Sequence, residues 1–389
     1  MKHVYLDNAA TTRVRDEVIE KMHSALANCY GNPSSTHGFG RTAKTAIETA
    51  RKSIAKYLNA HPSEIIFTSG GTEADNMILR CAVRDLGVDT IITSRIEHHA
   101  VLHTVEELEV ECGVKICYVR LQANGNPDMD HLKELLEQEK GKLLVSLMHI
   151  NNEIGNKIDI QAISELCKDH NALLHSDTVQ SIGHYTWDVQ KTPIDFMTAA
   201  AHKFHGPKGV GFAYIRKNSG LKPMIVGGAQ ERGFRAGTEP FHNIVGLEEA
   251  FLLAYDNLEK EQEYVSSLKK YFIQSVKKAF PKAEFNGLSG EMEQSTYTLV
   301  NVRLPISQEK ALMLLFHLDI KGIACSKGSA CQSGSDAGSH VLTQLLTPEE
   351  LKSPSLRFSF SIYNTREEVD YTIEVLREFS KDEKAPMIT

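Results

Sequence analysis

The chain has 389 residues, enough to close two domains over sizeable buried cores. Its 41% hydrophobic and 24% charged residues are ordinary for a globular protein, and a net charge of −7 leaves no basic footprint for nucleic acid or an anionic membrane. No apolar run approaches the roughly 20 residues of a membrane helix, and the start, MKHVYLDNAATT, lacks a signal peptide's apolar core, so the expectation is a cytoplasmic or similarly reducing setting, small-molecule chemistry and protein partners.

In chain order, residues 15–29 and 41–59 carry helical periodicity: Val18, Ile19, Met22 and Leu26, then Ala46, Ile47, Ala50 and Ile54, with Gly31-Asn32-Pro33 between them. From about 60 to 215, apolar runs at 64–68, 89–93, 143–149, 172–175, 195–201 and 210–215 read as strands. Helical stretches at 72–86, 98–112, 128–139 and 160–170 lie between them. Most of the strands are apolar throughout, as in a parallel sheet covered on both faces, so this part is expected to be a doubly wound α/β domain. The pattern then changes to a long helical region (244–279), strand 297–304, a helix after Ser307, a strand ending near Ala324 and strand 356–363. Thr365 with Glu368 forms a capping-box pattern that opens a last helix. This tail reads as a smaller α+β domain. The predicted division is 15–250 for the large domain, with 1–14 and 251–389 forming the small one.

Ligands in open α/β sheets bind beyond the carboxyl ends of the strands, and three strand ends here carry suitable groups. In TSGGTEADN (68–76), Gly70, Gly71 and Thr72 lie between a strand and a helix, where glycine permits close approach and unpaired N–H groups face an anion. A plain helix cap is the competing reading, and no Gly-Lys-Ser/Thr follows to make a P-loop. In LLHSDTVQSIG (173–183), Asp177 follows a buried strand; it could cap the next helix or hold a ring nitrogen protonated. In AAAHKFHGPKGVG (199–211), Lys203 follows an apolar strand, a setting that suits covalent attachment through the amine, while Lys208 reads as a loop cation. An anion site, a carboxylate and a lysine together match the needs of pyridoxal 5'-phosphate.

These stretches, with YLDNAATT (5–12), GNPSSTHGFGR (31–41), EHHAV (97–101), HINNEIG (149–155), HSDTVQ (175–180), AHKFHGPKG (201–209), ERGFRAGTEP (231–240), GSACQSGS (328–335) and LRFSFS (356–361), resemble a cysteine desulfurase of the NifS/IscS type. That group belongs to the class V aminotransferase-fold enzymes, pyridoxal-phosphate-dependent transferases of fold type I. The resemblance covers nearly the whole chain. It implies that Lys203 holds the cofactor covalently, Asp177 pairs with its ring nitrogen, and Asn152 and Gln180 contact the ring hydroxyl side. His98 would stack on the ring and shuttle protons, and Gly71, Thr72 and His202 would hold the phosphate. Thr238 matches a threonine that completes the partner subunit's phosphate cradle, which implies a homodimer. Arg357 matches the arginine that forks onto the substrate carboxylate, and Asn8 and Asn32 lie in matching substrate-side motifs. Ala200, Gln230 and Ile362 depart from residues frequent at those positions in the group, namely serine, histidine and arginine.

Cys331 decides the reaction class within this resemblance. Its Gly/Ser-rich surroundings suit a swinging thiol better than a buried structural cysteine. The implied reaction converts L-cysteine to L-alanine with a persulfide on Cys331. The sulfur would go to an acceptor protein such as an iron–sulfur scaffold or a tRNA-thiolation enzyme. Cys325 follows an apolar strand and reads as core. The cysteines, seven in all and scattered, fit free thiols better than a disulfide framework or a zinc site. His99 and His103, four apart, have no evident third ligand, so no metal is expected. Selenocysteine lyase, transaminase and a structural paralogue lacking activity are the alternatives, distinguished by whether Cys331 is needed and whether the cofactor is bound.

Overall fold

The computed structural model describes residues 2–327 and 338–381, so the expectations placed on Cys331 lie outside the described residues. In chain order the elements are β1 (Val4–Tyr5), α1 (Asp16–Asn28), α2 (Gly38–Tyr57), β2 (Ile65–Thr68), α3 (Gly71–Leu86), β3 (Thr90–Thr93), α4 (His99–Cys112), β4 (Lys115–Tyr118), α5 (Met129–Gln138), β5 (Leu143–Ser146), α6 (Ile160–Asp169), β6 (Leu173–Asp177), β7 (Phe196–Ala200) and β8 (Gly211–Ile215). There follow α7 (Phe241–Asp256), α8 (Leu258–Ala279), β9 (Glu284–Phe285), β10 (Leu299–Arg303), α9 (Gln308–Ile320), β11 (Ile323–Ala324), α10 (His340–Thr343), β12 (Ser355–Ser359) and α11 (Arg366–Lys381).

Seven of these strands form one sheet in the order β2-β8-β7-β6-β5-β3-β4. The run from β7 to β4 is parallel, while β8 is antiparallel to both neighbours. Strands β2, β3, β5, β7 and β8 are buried along their whole length, because apolar clusters cover both faces of the sheet. The edge strand β4, absent from the predicted set, has only Cys117 fully buried, with Lys115 exposed and Ile116 and Tyr118 half-buried, so it lacks the all-apolar signature of its neighbours. The predicted helical region 244–279 is two helices that meet at Asn257, whose side-chain amide donates to Leu253 O at 2.9 Å and closes the last turn of α7.

The C-terminal strands form an antiparallel sheet, β12-β10-β9, while β1 pairs in parallel with β11. They share an apolar cluster with α8, α9 and α11, against which Cys325 packs. The expected capping box is present: Thr365 N–H donates to Glu368 at 3.1 Å and Glu368 N–H to Thr365 Oγ1 at 3.3 Å. No described helix is long and apolar enough to cross a membrane.

Candidate active site

Reversal at β8 makes β2 run in the same direction as β7, so all the parallel strands and β2 deliver their carboxyl ends to one edge. His98 follows β3, Asn152 follows β5, Asp177 ends β6, and Lys203 closes a short turn after β7. These are four neighbouring strands, so four residues far apart in sequence converge. They line one cavity of about 210 Å³ together with Gly71, Thr72, Gln180, Ala200, His202 and Arg357.

Lys203 Nζ donates to Ala9 O at 2.6 Å and Ala10 O at 2.8 Å, so the segment after β1 fixes its side chain. Gln180 Nε2 donates to the same Ala9 carbonyl at 3.0 Å. The Lys203 backbone is held from behind: its carbonyl lies 3.0 Å from His184 Nε2, whose Nδ1 lies 3.0 Å from Tyr297 Oη. Lys208 is exposed and takes no part in the cavity lining.

Asp177 is 5% exposed and accepts from Val179 N–H at 2.9 Å. Burial, then the neighbouring Asp75, push its carboxyl up to about 6, against the pull of His98. Burial pushes His98 down, and Lys203, His99 and His340 add to this while Asp177 opposes it. Its Nδ1 accepts from Ala100 N–H at 3.1 Å as the N-cap of α4, which assigns the ring proton of the neutral form to Nε2.

On the wall formed by Gly71 and Thr72, α3 begins with no side-chain cap, leaving its first N–H groups for a ligand. A Cβ on Gly71 would stand 2.6 Å from Val179 Cγ2, so only glycine allows this helix end to sit so close to the turn after Asp177. His202 Nδ1 lies 3.3 Å from Thr11 Oγ1, and burial with Lys203 and Lys208 lowers its imidazole to about 4. Ala200 removes one hydroxyl from this end of the cavity.

Arg357, 1% exposed, donates from Nη1 to Asn152 O at 2.7 Å and from Nη2 to Asp7 Oδ1 at 2.9 Å. Its Nε has no hydrogen-bond partner among the described residues. Asn8, Asn32 and Thr238 are not brought into the cavity of a single chain. Asn8 braces Ser359 O at 2.8 Å and Asn364 Oδ1 at 3.1 Å, and the exposed Asn32 accepts from Ser34 N–H at 2.9 Å. Exposed Thr238 lines a separate depression with Ser69, Glu231 and Arg235. That segment is anchored by Arg235 to Glu73, at 2.9 Å, and by Glu231 to the buried Arg51, at 2.7 and 2.8 Å.

Sequence reasoning missed Asp75, Met148, Glu153, His99 and His340, which also line the cavity. Asp75 sits within α3 and His99 at the first position of α4, both on quoted motifs; Asp75 is marked by its burial and His99 only by its place on the cavity wall. The rings of His99 and His103 meet at a tilt with centroids 4.7 Å apart, and those of His99 and His340 likewise at 4.3 Å.

A lysine amine, a buried acid and an uncapped helix end around one cavity are the groups that a pyridoxal-phosphate site requires. Residues 4–372 match the aminotransferase class-V family. The cysteine desulfurase IscS of Dictyoglomus turgidum is 43% identical over 377 residues, covering 96% of this chain and 94% of that protein. The IscS of Methanosarcina thermophila is 43% identical over 380 residues, 97% of this chain and 92% of that one. A solved NifS-like protein superposes with a TM-score of 0.88 at 35% identity, covering 97% of this chain and 99% of the other. The chain belongs to the class-V aminotransferase family and, within it, to the cysteine desulfurases of the NifS/IscS type. Pyridoxal phosphate is its cofactor, and the donor set described here fits it.

Proposed function

We propose that the protein takes sulfur from L-cysteine, releases L-alanine and leaves a persulfide on Cys331 for transfer to an acceptor protein such as an iron–sulfur scaffold or a tRNA-thiolation enzyme. The observation that carries this reading is the convergence of Lys203, Asp177, His98 and Arg357 on one cavity. Pyridoxal phosphate, when bound, supplies an electron-withdrawing ring that stabilises negative charge at the amino acid's α-carbon. Lys203 supplies the attaching amine, and Asp177 holds negative charge opposite the ring nitrogen. Gly71, Thr72 and His202 hold the phosphate, while Asn152 and Gln180 fix the ring hydroxyl side. His98, kept neutral by burial, accepts and returns protons at its cavity-side nitrogen. Arg357 orients the substrate carboxylate. The Cys331 thiolate takes the substrate sulfur; the carbon–sulfur bond breaks, its electron pair stays on carbon, and a proton completes alanine.

The homodimer belongs to this proposal, because Thr238 faces away from its own chain's cavity and Tyr30, Phe39 and Val226 expose large apolar surface. So does the division into 15–250 and 1–14 with 251–389: separate apolar clusters support two domains, although Phe251 and Ala254 of α7 pack with the larger one. A cytoplasmic setting is supported by the free state of all six described cysteines. No substrate contact is assigned to Asn8 or Asn32.

With excess cysteine and a reductant, the wild type is expected to yield alanine and sulfide in equal amounts, and Cys331→Ala neither. Mass spectrometry after brief cysteine exposure should find added sulfur on Cys331. Undiminished alanine from Cys331→Ala would remove that thiol from the reaction.

A further inference from the structure

The cavity lining includes one acid that the reaction above does not use. Asp75, in the first turns of α3, is fully buried; neither of its oxygens makes a well-formed hydrogen bond among the described residues, and the Thr198 hydroxyl on β7 beside it pulls only weakly against the effect of burial. His175 on β6 lies against it, with Nε2 3.4 Å from Asp75 Oδ1. His175 is also fully buried, and its Nδ1 lies 2.8 Å from Ser146 Oγ on β5. Residues 175 and 177 share one face of β6, so Asp75 and His175 stand directly behind the acid assigned to the cofactor ring.

A carboxylate with no more than one neutral hydroxyl beside it is strongly disfavoured in the interior. A carboxylic acid needs only an acceptor for its proton, and the Nε2 of a neutral imidazole is one. The charged neighbours favour the neutral acid. Asp177 and Glu97 face Asp75 as acids, while His98 and His175 are imidazoles that burial keeps neutral. Glu97, which accepts from Met148 N–H at 3.0 Å, is pushed far up by burial, with both aspartates adding to the effect. Burial raises Asp75 to about 7 and lowers His175 to about 4, so a proton placed between them stays on the acid.

We propose that Asp75 is a neutral carboxylic acid that donates to Nε2 of His175, while His175 donates from Nδ1 to Ser146, so that Asp177 is the single buried anion facing the cofactor ring. Asp75 is thus a positioning residue acting through Asp177. A second carboxylate there would repel the Asp177 charge and favour its protonation; as a neutral acid it leaves Asp177 ionised. The inference rests on the assignment of Asp177 to the ring nitrogen.

Infrared spectroscopy of the full-length protein, with and without cofactor, tests the protonation state directly. The wild type is expected to show protonated-carboxyl stretching bands. One of these should disappear in Asp75→Asn, persist in Glu97→Gln, and shift in frequency in His175→Gln. An unchanged set of bands in Asp75→Asn, or no shift in His175→Gln, overturns the proposal. The pyridoxal phosphate dissociation constant provides the second reading. Asp75→Asn, isosteric and neutral, should stay within about threefold of wild type, whereas Asp177→Asn should weaken binding by about tenfold or more. An Asp75→Asn loss as large as that of Asp177→Asn would show Asp75 acting as a charge and overturn the proposal. An Asp177→Asn protein with unchanged affinity would instead remove Asp177 from the ring nitrogen, leaving the infrared result on Asp75 to stand by itself.

Discussion

Arg357 shows how much a side chain's use depends on what holds it. Its guanidinium is buried, with one arm on Asn152 O and the other on Asp7, so its plane is fixed before any substrate arrives. A lysine has neither the fork nor the reach to keep those contacts and orient a carboxylate as well. Arg357→Lys is expected to raise KM for cysteine by about tenfold or more, with a smaller effect on kcat, since a charged hydrogen bond is worth roughly 1.5–3 kcal/mol. Steady-state kinetics over a range of cysteine concentrations reads the split. His98 gives a prediction in pH. Its imidazole is held below its ordinary value of 6.5 by burial, so the neutral, proton-accepting form persists into mild acid. The acid limb of kcat/KM is therefore expected to fall with a midpoint below about 6.5. An acid limb above that value would contradict the assignment of His98 as the group that accepts the proton.

At the scale of elements, the turn from β2 into α3 depends on one missing methyl group. Gly71→Ala places a Cβ 2.6 Å from Val179 Cγ2, which forces the helix end and the turn after Asp177 apart. Overpacking of this kind costs about 1–3 kcal/mol, and here it moves the phosphate donors and the ring acid relative to each other. Pyridoxal phosphate affinity, titrated by absorbance, is expected to fall by about tenfold, and Val179→Ala in the same chain should recover most of the loss. Helix boundaries were largely legible from periodicity and caps: α3, α4, α5 and α6 lie within a residue or so of the predicted 72–86, 98–112, 128–139 and 160–170. Two element features were not legible. Strand β4 pairs through backbone with β3 at the sheet edge, where cover is incomplete and only Cys117 of its four residues is fully buried, so the apolar run disappears. The reversed direction of β8 leaves no mark in its composition, because a strand covered on both faces is apolar whichever way it runs.

The whole molecule carries an acid-sensitive store of buried neutral imidazoles. Burial lowers His149 and His205 to about 3 and His175 and His202 to about 4, against 6.5 when exposed. Between those values the unfolded chain binds protons that the folded chain refuses, so stability falls as pH drops through about 6.5. Buried acids work the other way: Asp75, at about 7, and Asp177, at about 6, bind protons in the fold that the unfolded chain releases above 3.8. Glu97, Glu153, Asp195, Glu239 and Glu248 are raised as well, and His98, His99 and His184 are lowered, so the two kinds are equal in number; among the groups shifted most, however, the four imidazoles of His149, His175, His202 and His205 outnumber the three acids Asp75, Asp177 and Glu97. The urea midpoint is therefore expected to decline between about pH 7 and pH 5. A midpoint that rose over that interval would mean that the buried carboxyl groups dominate.

The sequence by itself determined the fold class, the family and the residues at the three strand ends. Apolar runs, helix caps and ordered motifs are local properties, and local chemistry writes them directly. It distinguished Lys203 from Lys208 for the same reason, an apolar strand end against a Gly-Pro turn. Only the tertiary structure decided that Ala9 and Ala10 hold the Lys203 amine, that Asp7 shares Arg357, and that Thr238 turns away from its own cavity. It also placed the unassigned Asp75 behind Asp177. Those contacts join residues up to hundreds of positions apart, and burial and charge at such a meeting point belong to the surroundings rather than to any one segment.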